Sequence, residues 1–257
     1  MADRCDTGIV ELDTAMAGGI PKGNLVLLSG GAGTGKSTFC LHFLISGAKK
    51  GERGIYISTE QNQAELIKQA DCYSLPLKEF IDSGSIKVVM IDVLKDDTVV
   101  DKLRKEVSDF SPSRLVIDSL STFSEFASTI DFARDLLLRR GGVATRTVDQ
   151  VPPQRLSERT FTKRMLGMLI STIQSMNVTA VLTSELPEKA ESLSSDGISE
   201  FLCDGVILLY FFGVGESEFR NLQIRKMRYT NHERKAISYN LTSTGIKVMS
   251  DEEVLKL

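Results

Sequence analysis

Gly30, Gly35, Lys36 and Ser37 stand in GGAGTGKST, with four residues between the two glycines. Glycines at this spacing let backbone N–H groups curl around a phosphate, and a helix starting behind them adds its positive N-terminal dipole. A lysine next in line reaches the β- and γ-phosphates, and the hydroxyl after it suits Mg²⁺. Gly30, Gly31, Ala32, Gly33, Thr34, Gly35, Lys36, Ser37 and Thr38 are therefore the candidate cradle for ATP, the alternative being a merely structural glycine turn. A metal held by Ser37 needs a second, acidic ligand. Asp118 ends the apolar run Leu115, Val116, Ile117, which reads as a buried strand delivering a carboxylate to the carboxyl edge of a sheet. The plainer reading of Asp118 is a turn or helix cap. Hydrolysis also needs a group to take a proton from water. Glu60, following GIYIST, is the candidate base, with Glu185 after VTAVLTS the competing acid.

A second concentration of chemistry lies in RKMRYTNHERK, residues 225–235, where three arginines and two lysines surround His232, one of only two histidines. Lys226 and Arg228 alternate, so on a strand they point to one face and can meet a common anion. A charged edge strand kept soluble by its cations is the other reading.

These residues need elements to position them. NLVLLS (24–29), GIYIST (54–59), IKVVMID (86–92), RLVID (114–118), VTAVLTS (178–184) and GVILLY (205–210) read as short buried strands. Between them KSTFCLHFLISGAKK, QAELIKQAD, TVVDKLRKEVSDF and RTFTKRMLGMLISTIQSM carry helical patterns. Apolar strands separated by amphipathic helices predict a three-layer α/β domain, with a mostly parallel central sheet covered on both faces. Beyond residue 205 the strands RNLQIRK, KAISYNL and GIKVM follow closely and predict antiparallel pairing at the sheet edge.

At 257 residues, 42% hydrophobic, the chain can bury a sizeable core and reads as one domain over 1–257. A net charge of −3 gives no overall pull toward nucleic acid or anionic membrane, so any basic function is local. Cys5, Cys40, Cys72 and Cys203 are scattered and read as reduced thiols of a cytoplasmic protein. Cys40 and His42, in the helix after the glycine loop, read as packing residues, and Met165 and Met168 fit a helix face better than a cofactor box. Cys72 and Tyr73 are expected to end a helix. No uncharged run is long enough to span a membrane, and the N-terminus has no signal-like stretch.

Taken together, these motifs resemble a KaiC-like ATPase of the RecA superfamily over nearly the whole chain. GIVELDTAMAGGIPKGNLVLLSG is similar to the segment leading into that family's phosphate loop, IYISTEQ to the strand bearing its catalytic glutamate, and VIDSLS to its Walker B strand. TSE (183–185) resembles the strand end that monitors the γ-phosphate. KMRYTNH resembles the KxRGxxH segment, which implies that Lys226 and Arg228 act in a neighbouring subunit's site and that His232 lies near the nucleotide's sugar or base. The resemblance thus implies a RecA-like fold, ATP and Mg²⁺ as cofactors, and a homo-oligomeric ring, most simply a hexamer. Departures are also present. Gln61 replaces a second acid, Tyr229 replaces a glycine, and Glu200 and Phe201 occupy the positions where the clock proteins carry phosphorylated side chains, which argues against autokinase activity.

Residues 131–164 form an insertion with eight basic against four acidic residues. Its glycines and prolines suggest a loop, and Arg139, Arg140 and Arg146 are candidate DNA contacts. Its middle, residues 139–159, has no aromatics interleaved for base stacking. Three functions follow: a ring-forming Mg²⁺-dependent ATPase with a signalling output through an unknown protein partner; a RadA-like recombinase paralogue binding single-stranded DNA; and a non-catalytic ATP-dependent scaffold.

Overall fold

The structure is a computed structural model that describes residues 3–93, 99–125, 158–187, 192–214, 217–250 and 253. A small ribbon of β1 (Arg4–Cys5) and β2 (Ile20–Pro21) flanks α1 (Val10–Ala15) at the N-terminus. The remaining strands are β3 (Leu25–Gly30), β4 (Gly54–Ser58), β5 (Ile86–Met90), β6 (Arg114–Asp118), β7 (Thr179–Glu185), β8 (Gly205–Val214), β9 (Ser217–Met227), β10 (Ile237–Thr242) and β11 (Gly245–Val248). They form one nine-stranded sheet in the order β11-β10-β9-β8-β3-β7-β6-β4-β5. From β8 to β5 every pairing is parallel, and β9, β10 and β11 add antiparallel strands beyond β8.

The helices are α2 (Lys36–Lys49), α3 (Gln63–Cys72), α4 (Leu77–Asp82), α5 (Val99–Phe110), α6 (described over 120–125), α7 (Glu158–Ser175) and α8 (Ser199–Leu202). Alternate residues of a strand face opposite sides of a sheet. In β3, Val26 and Leu28 pack with Phe39, Phe43 and Leu44 of α2, while Leu25 and Leu27 pack with Leu103 of α5 and Ile170 of α7. Both faces of the sheet are therefore covered, which explains why its central strands carry consecutive apolar residues rather than alternating ones. The α/β layout with antiparallel strands at the C-terminal edge matches the sequence expectation.

Boundaries differ where a long hairpin extends two strands. Pairing of β8 with β9 continues from Gly205 opposite Met227 to Val214 opposite Ser217, well past the runs GVILLY and RNLQIRK. Backbone pairing carries β8 on through Phe211 and Phe212, which are exposed, with a bulge between Val206 and Ile207. Among the described residues no helix is long and apolar enough to cross a membrane.

Candidate functional site

Parallel order aims the carboxyl ends of β3, β4, β6 and β7 at one edge of the sheet. The chain reverses tightly there, and glycine is required twice for different reasons. A Cβ on Gly30 would lie 2.5 Å from the Leu209 carbonyl oxygen, and Gly35 caps α2 with φ 95, a left-handed conformation that costs side-chain-bearing residues. The loop between them wraps the N-terminus of α2. Lys36, buried, folds back over it and donates from Nζ to the carbonyls of Gly30 (3.0 Å) and Gly31 (3.1 Å), with Glu185 at 3.5 Å.

Asp118 stands beside the loop and accepts hydrogen bonds from three hydroxyls. Ser37 Oγ donates to its Oδ2 at 2.8 Å, Thr183 Oγ1 to its Oδ1 at 2.5 Å, and the Tyr56 phenol also donates to Oδ2. Sheet order makes this possible, because β6 lies between β7, which carries Thr183, and β4, which carries Tyr56. Burial and the neighbouring Asp118 charge push the Tyr56 phenol well above its usual range, so it remains a donor.

Glu60 follows β4 at the same edge. Ser119 Oγ donates to its Oε1 at 3.3 Å, with Thr122 Oγ1 at 3.5 Å. Directly after it, Asn62 and Glu65 close a reciprocal capping box that starts α3 (Glu65 N–H to Asn62 Oδ1, 3.1 Å; Asn62 N–H to Glu65 Oε2, 2.8 Å), which anchors the turn bearing Glu60. Burial, then the like charges of Glu185 and Asp118, raise the Glu60 carboxyl above the ordinary glutamate range. A carboxylate so raised is a better proton acceptor near neutral pH than a solvated one.

Lys36, Ser37, Glu60, Asp118 and Glu185 all line one cleft of about 490 Å³, which Gln69, Tyr73, Arg220 and Leu241 also line. Hard oxygen donors, one hydroxyl and one carboxylate, suit magnesium, which keeps waters and takes further ligands from phosphate. Among the described residues no group of three or more His, Cys, Asp or Glu side chains could hold a metal ion.

Lys226, Arg228 and His232 are elsewhere. Because β9 runs antiparallel to β8, its last residue, Met227, pairs with Gly205, which is level with Val26, whereas the phosphate loop begins at Gly30. At ~3.3 Å per residue this separates the two levels by about 13 Å along the strands, and β9 is two strands away from β3 besides. Neither side chain reaches its own chain's loop. Lys226 Nζ instead donates to the Cys203 (2.6 Å) and Glu200 (3.1 Å) carbonyls, and Arg228 Nη1 to Asp204 Oδ1 (3.0 Å). His232 is half-buried, with Nδ1 3.0 Å from the Glu233 carbonyl oxygen. Tyr229 occupies a left-handed conformation (φ 61) in which a glycine would be unstrained.

The packing reading of His42 and Cys40 holds. Cys40 is fully buried, and His42 Nε2 accepts the Ile246 N–H at 3.1 Å, with burial pushing the imidazole down to about 4. All four cysteines are free, and Cys72 ends α3 as expected. Arg139, Arg140 and Arg146, with residues 131–157 of the basic insertion, lie outside the described residues.

Sequence reasoning missed Tyr56, Arg220 and Tyr239, and named Thr183 only as part of TSE, not as a partner of Asp118. One signal was present: a tyrosine inside a buried strand must find an acceptor for its hydroxyl. Tyr239 Oη donates to the Thr34 carbonyl at 2.5 Å, and Arg220 Nε to the Gly33 carbonyl at 3.2 Å.

The family model described as "ATPase: KaiC" matches this chain over residues 5–144 and 137–253. A UPF0273 protein of Aeropyrum pernix is 30% identical over 99% of this chain and 96% of its own length. A circadian clock oscillator protein KaiC of Parathermosynechococcus lividus is 28% identical over 94% of this chain but only 41% of its own. Among solved structures, a KaiC-like protein of the hyperthermophilic archaeon Pyrococcus horikoshii superposes with a TM-score of 0.76 at 30% identity, covering 97% of this chain and 100% of that one.

Proposed function

From the premise that this chain belongs to the KaiC ATPase family, we propose that it is a Mg²⁺-dependent ATPase working as a closed ring, with each nucleotide held between two subunits and its state coupled to a conformational, regulatory output. The observation that carries this reading is the meeting of Ser37 Oγ with Asp118 Oδ2 at 2.8 Å beside a glycine loop over which Lys36 is already poised. In this reading residues 1–257 act as one ATPase domain.

The roles follow from position. Residues Gly30 to Thr38 cradle the phosphates, and Lys36 moves from the Gly30 and Gly31 carbonyls onto the β- and γ-phosphate oxygens. Ser37 and Asp118 would hold magnesium, which when bound neutralises charge on the β- and γ-oxygens. Glu60 accepts a proton from the attacking water as its oxygen bonds to the γ-phosphorus and the bond to the ADP oxygen breaks, giving ADP and phosphate. Ser119 and Thr122 engage one carboxylate oxygen of Glu60, which leaves the other for that water.

Lys226 and Arg228 serve the next subunit. Their place at the opposite end of the sheet supports this, since a head-to-tail contact brings one protomer's far end to its neighbour's cleft. The same contact would bring His232 to the sugar or base. Phosphate release by wild type, Lys36→Ala and Glu60→Gln, combined with mass measurement with and without ATP, tests the reading. Expected are ATP-dependent rings and hydrolysis lost in both variants. Rings without Glu60-dependent phosphate release would leave a nucleotide-binding scaffold instead.

A further inference from the structure

The three C-terminal antiparallel strands do more than widen the sheet. Tyr239, on β10, is fully buried and lines no part of the cleft, so it cannot touch a nucleotide. Its hydroxyl nevertheless donates to the carbonyl of Thr34, in the middle of the phosphate loop, at 2.5 Å. Two residues on, the Leu241 side chain packs against the bare Cα of Gly35, where an added Cβ would meet it at 3.0 Å. From β9, Arg220 holds the adjacent Gly33 carbonyl at 3.2 Å while its guanidinium lies 5.1 Å from the Phe211 ring centre. Two successive outward-facing carbonyls of the loop are thus tied down by the antiparallel strands.

The consequence comes from peptide geometry. A trans peptide points its C=O and the following N–H in opposite directions. A phenol fixing the Thr34 carbonyl from behind the loop therefore turns the Gly35 N–H toward the cleft that Gly35 lines. An anion nest works only when its N–H groups already converge, because a free loop must be ordered at the moment of binding.

We propose that Tyr239 is a positioning residue for the phosphates: through the Thr34 carbonyl it sets the Gly35 amide in the orientation that receives an anion, so that β10 preorganises the phosphate loop. The proposal rests on the phosphate site described above. It also gives Tyr239 a function that packing alone would not require, since phenylalanine fills the same space.

The test is calorimetric titration of Mg²⁺-ADP and of inorganic pyrophosphate into wild type, Tyr239→Phe and His42→Leu, with melting temperatures measured without ligand. His42→Leu loosens the same hairpin at its other tie, the Ile246 N–H to His42 bond, without touching the loop carbonyl. Tyr239→Phe should weaken both ADP and pyrophosphate about five-fold, the worth of one hydrogen bond. It should also speed hydrogen exchange at the loop amides. His42→Leu should lower the melting temperature yet leave both affinities within about two-fold. Unchanged affinities in Tyr239→Phe, or equal losses in the two variants, would overturn the proposal. A wild-type protein that binds neither ADP nor pyrophosphate would sink the underlying phosphate site first.

Discussion

The two ends of the central sheet carry opposite chemistry. At the carboxyl ends of the parallel strands stand Asp118, Glu60 and Glu185 with a ring of hydroxyls, and one lysine folded among them. At the other end stand Lys226 and Arg228, tied to carbonyls and to Asp204. Burial and then the Arg228 charge lower the Lys226 ammonium below its usual range, a sign that cations are crowded there. The first end gathers three carboxylates around the phosphate loop, and the second holds two cations far from that loop. On the ring reading proposed above, neither end is a complete site within one chain. A head-to-tail neighbour would complete both.

The sharpest break of that comparison is Arg228→Ala. If the far end serves a neighbour's cleft, phosphate release should fall about 10³-fold or more, the usual worth of an arginine finger, while ADP affinity changes little. Lys36→Ala should be equally dead, because it removes the cradle's own cation. Mixing the two dead variants should restore activity at interfaces that pair an intact loop with an intact Arg228. Absence of recovery, with subunit exchange verified by native mass spectrometry, counts against a finger acting in trans.

Next in size is Glu60→Gln, which keeps the shape of the acidic end and removes its base. A loss of ~10²- to 10⁴-fold in kcat with ATP still bound is expected. A variant that hydrolyses ATP at near the wild-type rate would shift the assignment to Glu185.

How much of this contrast is legible in the sequence depends on the range of each interaction. The phosphate loop, Asp118 and Glu60 can be read directly because each stands where an apolar strand ends, and strand ends share one edge in a parallel sheet. Tyr56 and Tyr239 cannot, since their acceptors, Asp118 and Thr34, lie far along the chain and become neighbours only through strand order. Both therefore read as ordinary strand aromatics. Arg114 is similar: a charged residue opening a buried strand, it is only 1% exposed because Asp6 (2.8 Å), Glu52 (2.6 Å) and the Phe43 carbonyl (2.6 Å) surround it. For Lys226 and Arg228 the spacing alone shows a shared face. Their distance from the loop needs the antiparallel direction of β9.

Acid should loosen the cleft end before the cation end. His42 joins α2 to the hairpin of β10 and β11, and its imidazole is held neutral down to about 4 against an unfolded value near 6.5. As pH falls through this window the unfolded chain binds a proton that the folded chain does not, so stability is lost progressively between pH ~6.5 and ~4, by up to about 3 kcal/mol. Urea unfolding across that range should show the decline, and His42→Leu should flatten it. Hydrogen exchange should report the opening first in β10 and β11. A decline undiminished in His42→Leu would assign it to other groups.

The smallest expected effect concerns the acidic end alone. Burial raises the Glu60 carboxyl first, and the Glu185 charge adds to it. Glu60 must be ionised to accept a proton, so kcat/KM should fall as pH drops through its raised pKa, giving an acid limb above the range of an ordinary glutamate. Glu185→Gln removes one like charge and should move that limb to lower pH without abolishing turnover. The shift should be modest, because the Glu185 side chain is 56% exposed and its field is screened. It should shrink further in high salt. A limb that stays in place leaves burial as the governing cause, and a limb that moves to higher pH means that Glu185 acts chiefly through Lys36, 3.5 Å away, whose ammonium it keeps near Glu60.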